Sequence, residues 1–156
     1  MSEPTRLTQL IPTGYGNEDP AIAYAFRYVE EAKPPVARSG QRFTVCHRDE
    51  LKPGERRIVD DGKQGIGVFN VDGKFYAIKN VCPHAGAELC RGTIHATHKP
   101  SDVGEFAPAY HGRILRCPWH GWEFDVVSGK GLYDRNGRVA TYVVEIDEAG
   151  NVVVVT

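Results

Sequence analysis

Two short segments carry residues whose types and spacing suit metal chemistry. Cys82-Pro83-His84-Ala85-Gly86 and Cys117-Pro118-Trp119-His120-Gly121 each offer one thiolate and one imidazole. In each, a proline follows the cysteine and stiffens the loop, and a glycine behind the histidine lets backbone amides come close to a bound group. Zinc sites usually pair like ligands, Cys-x2–4-Cys in one loop and His-x3–5-His in another. Here each loop is mixed, C-x-H and C-x2-H. That arrangement suits a two-iron cluster with both thiolates on one iron and both imidazoles on the other, with structural zinc as the competing reading. Such a cluster moves one electron at a time. Cys82, His84, Cys117 and His120 are therefore the expected metal and cofactor ligands. Cys46 and Cys90 are expected to be buried and unliganded, as small hydrophobes.

The elements that must position these loops read as β. Short strands are expected at 43–46, 56–59, 65–70, 74–79, 112–116, 121–126, 139–146 and 151–155, with Asp72-Gly73 as a hairpin turn. Both metal loops follow an expected strand. Ahead of them, Asp19-Pro20 has the form of a helix start, and Ile22, Ala25, Phe26 and Val29 share one face. This predicts a short amphipathic helix over about 20–32, stopped by Pro34-Pro35. Its apolar stripe is expected to cap the domain's own core, with self-association through the N-terminal extension as the sharper alternative. The expected organisation is an extension at 1–42 and one domain at 43–156, with cluster loops at 82–92 and 117–125.

Composition excludes several classes. Of the 156 residues 41% are hydrophobic and 25% charged, and the net charge is −1. No global field argues for nucleic acid or an anionic membrane. No run approaches the roughly 20 apolar residues of a membrane span, and residues 1–20 lack the apolar core of a signal peptide. A cytoplasmic location is expected, in which four cysteines point to metal or redox chemistry and not to disulfides.

The sequence resembles the Rieske family through CPHAG at 82–86, CPWHGWEFD at 117–125, SG at 128–129 and the lead-in VFNVDGKFYAIKNVCPH. The resemblance covers about 43–156. It implies an all-β fold, an antiparallel β sandwich with a cluster-binding subdomain, and one [2Fe–2S] cluster per chain. It places Cys82 and Cys117 on one iron, and His84 and His120 on the other. Members from quinol-oxidising complexes carry a further Cys in each loop and a Ser after His-Gly. Ala87, Trp119 and Trp122 stand at those positions here. Neither the disulfide nor the hydroxyl donor can form, so the cluster is expected at the low end of the roughly −150 to +300 mV range.

The interval between the motifs, residues 85–116, is longer than is usual in that family. Its excess, 93–112, is expected as a long inserted loop or elongated hairpin, with a lid or docking role for His95, His98, Tyr110 or His111 as the functional alternative. An oxygenase would need a separate iron site with two histidines and a carboxylate. Only 36 residues follow His120, none of them histidine. The chain is therefore expected to be an electron carrier without catalytic residues of its own. It would act as a ferredoxin or electron-transfer subunit between a reductase and a terminal oxygenase or other acceptor. The alternatives are the Rieske component of an oxygenase with its catalytic iron on another chain, and a cluster-based redox sensor.

Overall fold

The computed structural model describes residues 40–99, 107–132 and 137–156. The helix expected over 20–32 and the self-association assigned to the extension lie outside the described residues. Among the described residues nine strands follow one another: β1 (Arg42–His47), β2 (Arg56–Val59), β3 (Ile66–Val71), β4 (Lys74–Lys79), β5 (Thr93–Lys99), β6 (Ala107–Arg116), β7 (Glu123–Asp125), β8 (Thr141–Ile146) and β9 (Asn151–Val155). Single 3-10 turns form at Arg48–Glu50 and Leu89–Arg91. The strands make a six-stranded sheet in the order β1-β9-β8-β4-β3-β2 and a three-stranded sheet in the order β5-β6-β7. Every pairing is antiparallel. The all-β antiparallel fold expected from the sequence is the fold observed.

The alternation of side chains along a strand explains where the core sits. All six residues of β3 are buried, so it is covered on both faces. Ile66 and Val68 face one hydrophobic cluster, with Ala77, Cys46, Leu51, Val152 and Val154. Phe69 and Val71 face another, with Ile78, Leu89, Leu115, Phe124 and Val126. The strands β3 and β4 thus form a wall between two cores. The second core also contains Cys82, Ala87, Cys90 and Cys117, so both candidate loops are rooted in it.

The β3–β4 hairpin turns at Asp72 and Gly73, with φ of 50° and 86°. Buried Asn70 fixes it. Its side-chain amide donates to the Leu51 carbonyl at 2.6 Å, and its Oδ1 accepts from the Gly73 N–H at 2.8 Å. At the far end of β4, Asn80 does the same for the first loop. Its N–H donates to the Gly65 carbonyl, its amide to the Gln64 carbonyl, and its Oδ1 accepts from the Cys90 N–H at 2.7 Å.

Within the segment 93–112, residues 93–99 are strand β5 and 107–112 belong to β6, and the two strands pair antiparallel. Their base pairs Thr93–His95 with Ile114–Arg116, and the register shifts between His95 and Thr97 before pairing resumes. Small and polar residues hid the strands, because they give no alternation to read. The hairpin is instead seeded at its base, where Ile114 and Leu115 are fully buried, and extended by backbone pairing.

Gly67 on β3 shows how closely the first loop packs. A Cβ built there would stand 2.3 Å from Cys90 Sγ and 2.8 Å from its Cβ. Gly67→Ala is therefore expected to destabilise the domain by about 1–3 kcal/mol through overpacking. Adding Cys90→Ala should return part of that loss, measured as a double-mutant cycle in urea unfolding.

Candidate metal centre

The first loop leaves β4 in the large sheet and leads, through the Leu89–Arg91 turn, into β5 in the small one. The second joins β6 to β7 within the small sheet. The two loops share one backbone frame. In the first, the Cys82 N–H donates to the Ala87 carbonyl at 2.9 Å, and the Gly86 N–H donates to the Cys82 carbonyl at 2.9 Å. In the second, the Cys117 N–H donates to the Trp122 carbonyl at 2.7 Å, and the Gly121 N–H donates to the Cys117 carbonyl at 3.1 Å. Each cysteine is thus bonded to the residues four and five positions on. Closing so short a ring requires left-handed backbone at the fourth position, and Gly86 and Gly121 have φ of 78° and 71°.

The frame sorts the side chains. Cys82 and Cys117 are buried, with their side chains near enough to influence one another. Burial pushes the Cys82 thiol up, the backbone N–H of His84 aimed at the sulfur opposes this, and the neighbouring Cys117 reinforces it. A thiol held away from water in this way favours its protonated form unless a cation supplies compensating charge. His84 and His120 are exposed on the outer side of the loops. Their rings meet edge to face, with centroids 4.6 Å apart and planes at 78°. Trp122, from the second loop, lies flat on His84 at 4.3 Å and 13°. Trp119 stands beside His120 at 6.4 Å and is 62% exposed.

The four residues singled out in the sequence are therefore brought together as two pairs, sulfurs inside and imidazoles outside. Among the described residues no three His, Cys, Asp or Glu side chains converge on one point that could hold a single ion. Zinc needs all four donors on one atom. A cluster of two irons needs two donors on each, and this donor set fits it.

The other two cysteines stand apart from this arrangement. Cys46 lies in the core on the far side of the β3–β4 wall. Cys90 is in the loop-bearing core, where burial pushes its thiol up to about 12 despite the opposing Arg56 charge and the Gly67 N–H. His95 lies in β5 with Nε2 3.2 Å from Glu123 Oε1, off the line of a hydrogen bond. His111 is exposed on β6. The side chains of His98 and Tyr110 lie outside the described residues.

Support behind the second loop comes from residues with little local signal in the sequence. Asp125, at the end of β7, is fully buried. Arg113 of β6 clamps it, with Nε on Oδ1 at 2.5 Å and Nη2 on Oδ2 at 3.1 Å. The same carboxylate accepts from the Val127 and Ser128 N–H groups and from the Ser128 hydroxyl. The only local signal was Asp followed by Ser-Gly, the pattern of an Asx turn. Its arginine partner is twelve residues upstream and becomes visible only once β6 and β7 pair.

The Rieske [2Fe-2S] domain family matches residues 41–143. The chain belongs to that family. Its cofactor is a Rieske-type [2Fe–2S] cluster. Apoptosis-inducing factor 3 of Mus musculus is 31% identical over 120 residues, 76% of this chain. The Rieske chain spans only 17% of that much longer protein. The ferredoxin component of the alkene monooxygenase system of Xanthobacter autotrophicus is 28% identical, over 72% of this chain and 79% of its own length. A chain of the complex of reduced oxygenase and oxidized ferredoxin in carbazole 1,9a-dioxygenase superposes with a TM-score of 0.57 and 28% identity. The match covers 73% of this Rieske chain and 92% of the other.

Removing the Asp125 carboxylate would leave the Arg113 guanidinium without its clamp and orphan two backbone donors of the turn. Asp125→Ala is expected to cost about 3–5 kcal/mol, the range for breaking a buried ion pair from one side. Thermal unfolding of the variant, compared with Asp125→Asn, would check this, with the amide keeping part of the stability.

Proposed function

We propose that this chain is a one-electron carrier whose cluster is held by Cys82 and Cys117 on one iron and by His84 and His120 on the other. The observation that carries the reading is the repeated loop frame, which pairs two buried sulfurs behind two exposed imidazoles. When bound, the cluster supplies a one-electron couple. The loops keep the sulfurs from water, the His84 and Ala85 N–H groups point at Cys82 Sγ, and the imidazoles give electrons a path to the surface. Exposed Trp119 stands at that surface.

The carrier would take electrons from a reductase and deliver them to a terminal acceptor of the oxygenase kind, as a ferredoxin or electron-transfer subunit. The names of the alkene monooxygenase and carbazole dioxygenase relatives support this. Among the described residues no helix is long and apolar enough to cross a membrane. We place the chain in the cytoplasm, where Cys46 and Cys90, buried in separate cores, would persist as thiols.

The potential should lie low in the class. Neutral imidazoles raise it above that of an all-thiolate cluster, but Ala87, Trp119 and Trp122 exclude both the loop disulfide and a hydroxyl donor. An EPR-monitored redox titration, with iron and acid-labile sulfide analysis, is expected to give two irons and two sulfides per chain. The midpoint should lie below about +100 mV. A protein free of labile sulfide, or a midpoint well above that bound, would contradict the reading. His84→Cys or His120→Cys should move the midpoint down, towards the roughly −400 mV of all-thiolate ferredoxins.

A further inference from the structure

The two outer histidines are not equivalent. The ring of His84 lies flat against the Trp122 indole, centroids 4.3 Å apart and planes at 13°. Among the described residues, His120 has only edge contacts, with His84 and with exposed Trp119. The indole is also firmly held. Trp122 is half-buried, packs against the core that roots both loops, and its carbonyl closes the second loop by accepting the Cys117 N–H at 2.7 Å. A ring of the first loop is therefore held by a platform built on the second.

We propose that Trp122 is a positioning residue for electron transfer. Its indole face fixes the plane of the His84 imidazole and favours the more positive state of that ring. The inference rests on the reading of His84 as an iron ligand. An imidazole on iron carries more positive charge when the iron is oxidised, and the face of an indole is the strongest side-chain π surface for a cation. The stack therefore stabilises the oxidised protein over the reduced one. No bond forms or breaks, and a single electron is exchanged with the redox partner. The strength of such contacts at exposed sites corresponds to about a two- to five-fold preference. Trp122 thus stands where other members of the family have a hydroxyl donor to sulfur, and pushes the potential the opposite way.

The test compares the unaltered protein with Trp122→Leu and Trp122→Phe, titrated with dithionite and ferricyanide under EPR. Leucine keeps apolar bulk over His84 but has no π face, whereas phenylalanine keeps one. For Trp122→Leu the ratio of oxidised to reduced protein at a fixed potential should fall about two- to five-fold, with altered g-anisotropy. Trp122→Phe should stay nearer the unaltered protein in both. A leucine variant identical to the parent in ratio and spectrum would overturn the inference and leave the ligand assignment standing. A parent protein without the spectrum of a two-imidazole cluster would instead sink the ligand assignment itself. If Trp122→Leu holds no cluster, fluorinated tryptophans in a Trp119→Phe background decide the matter, because they weaken the π face of Trp122 at nearly constant shape. The ratio should fall stepwise with fluorine number, and a flat series would refute the proposal.

Discussion

The cluster end of this domain depends on one backbone constraint, made twice. A cysteine N–H reaches the carbonyl five residues on, and its own carbonyl takes the N–H of a glycine four residues on. Two hydrogen bonds across so few residues leave the chain almost no freedom between them. The cysteine side chain is directed inward to the core, and the residues between are forced out to solvent. Proline after each cysteine suits the frame, since the N–H it lacks is not used in the closure. The histidine falls at the second intervening position in one loop and at the third in the other. The offset lets the two imidazoles meet edge to face instead of colliding.

The frame works because both loops grow from the same core. Cys82 follows β4 and Cys117 follows β6, strands of different sheets, yet both sulfurs lie in the hydrophobic cluster between them. Asn80 fixes one root by bonding to three backbone groups on two segments, and the Arg113–Asp125 clamp fixes the other. Rigid roots suit an electron carrier, whose donor atoms must move little between charge states.

Much of this was legible before any coordinates. Cys-Pro with His and Gly close behind, repeated, marked the four candidate ligands, and the Asp72-Gly73 turn signal marked the hairpin whose strands lead into the first loop. What stayed hidden had physical causes. The β5–β6 hairpin carries small and polar residues, so its pairing leaves no hydrophobic rhythm. The Asp125 network joins residues from two places in the chain, and only strand pairing brings Arg113 to the carboxylate. The flat contact of Trp122 on His84 links loops 38 residues apart, and no local pattern signals it.

The two-faced wall of β3 and β4 has a further consequence. Alternate positions along each of these strands answer to different neighbours: Phe69, Val71 and Ile78 back the loops, whereas Ile66, Val68 and Ala77 back the distant half with β1 and β9. Changes at adjacent positions on one strand therefore fall in different compartments. The distant compartment can drift in sequence while the donor atoms keep their geometry. The near one cannot, and relatives should diverge in a pattern that alternates residue by residue along a single strand.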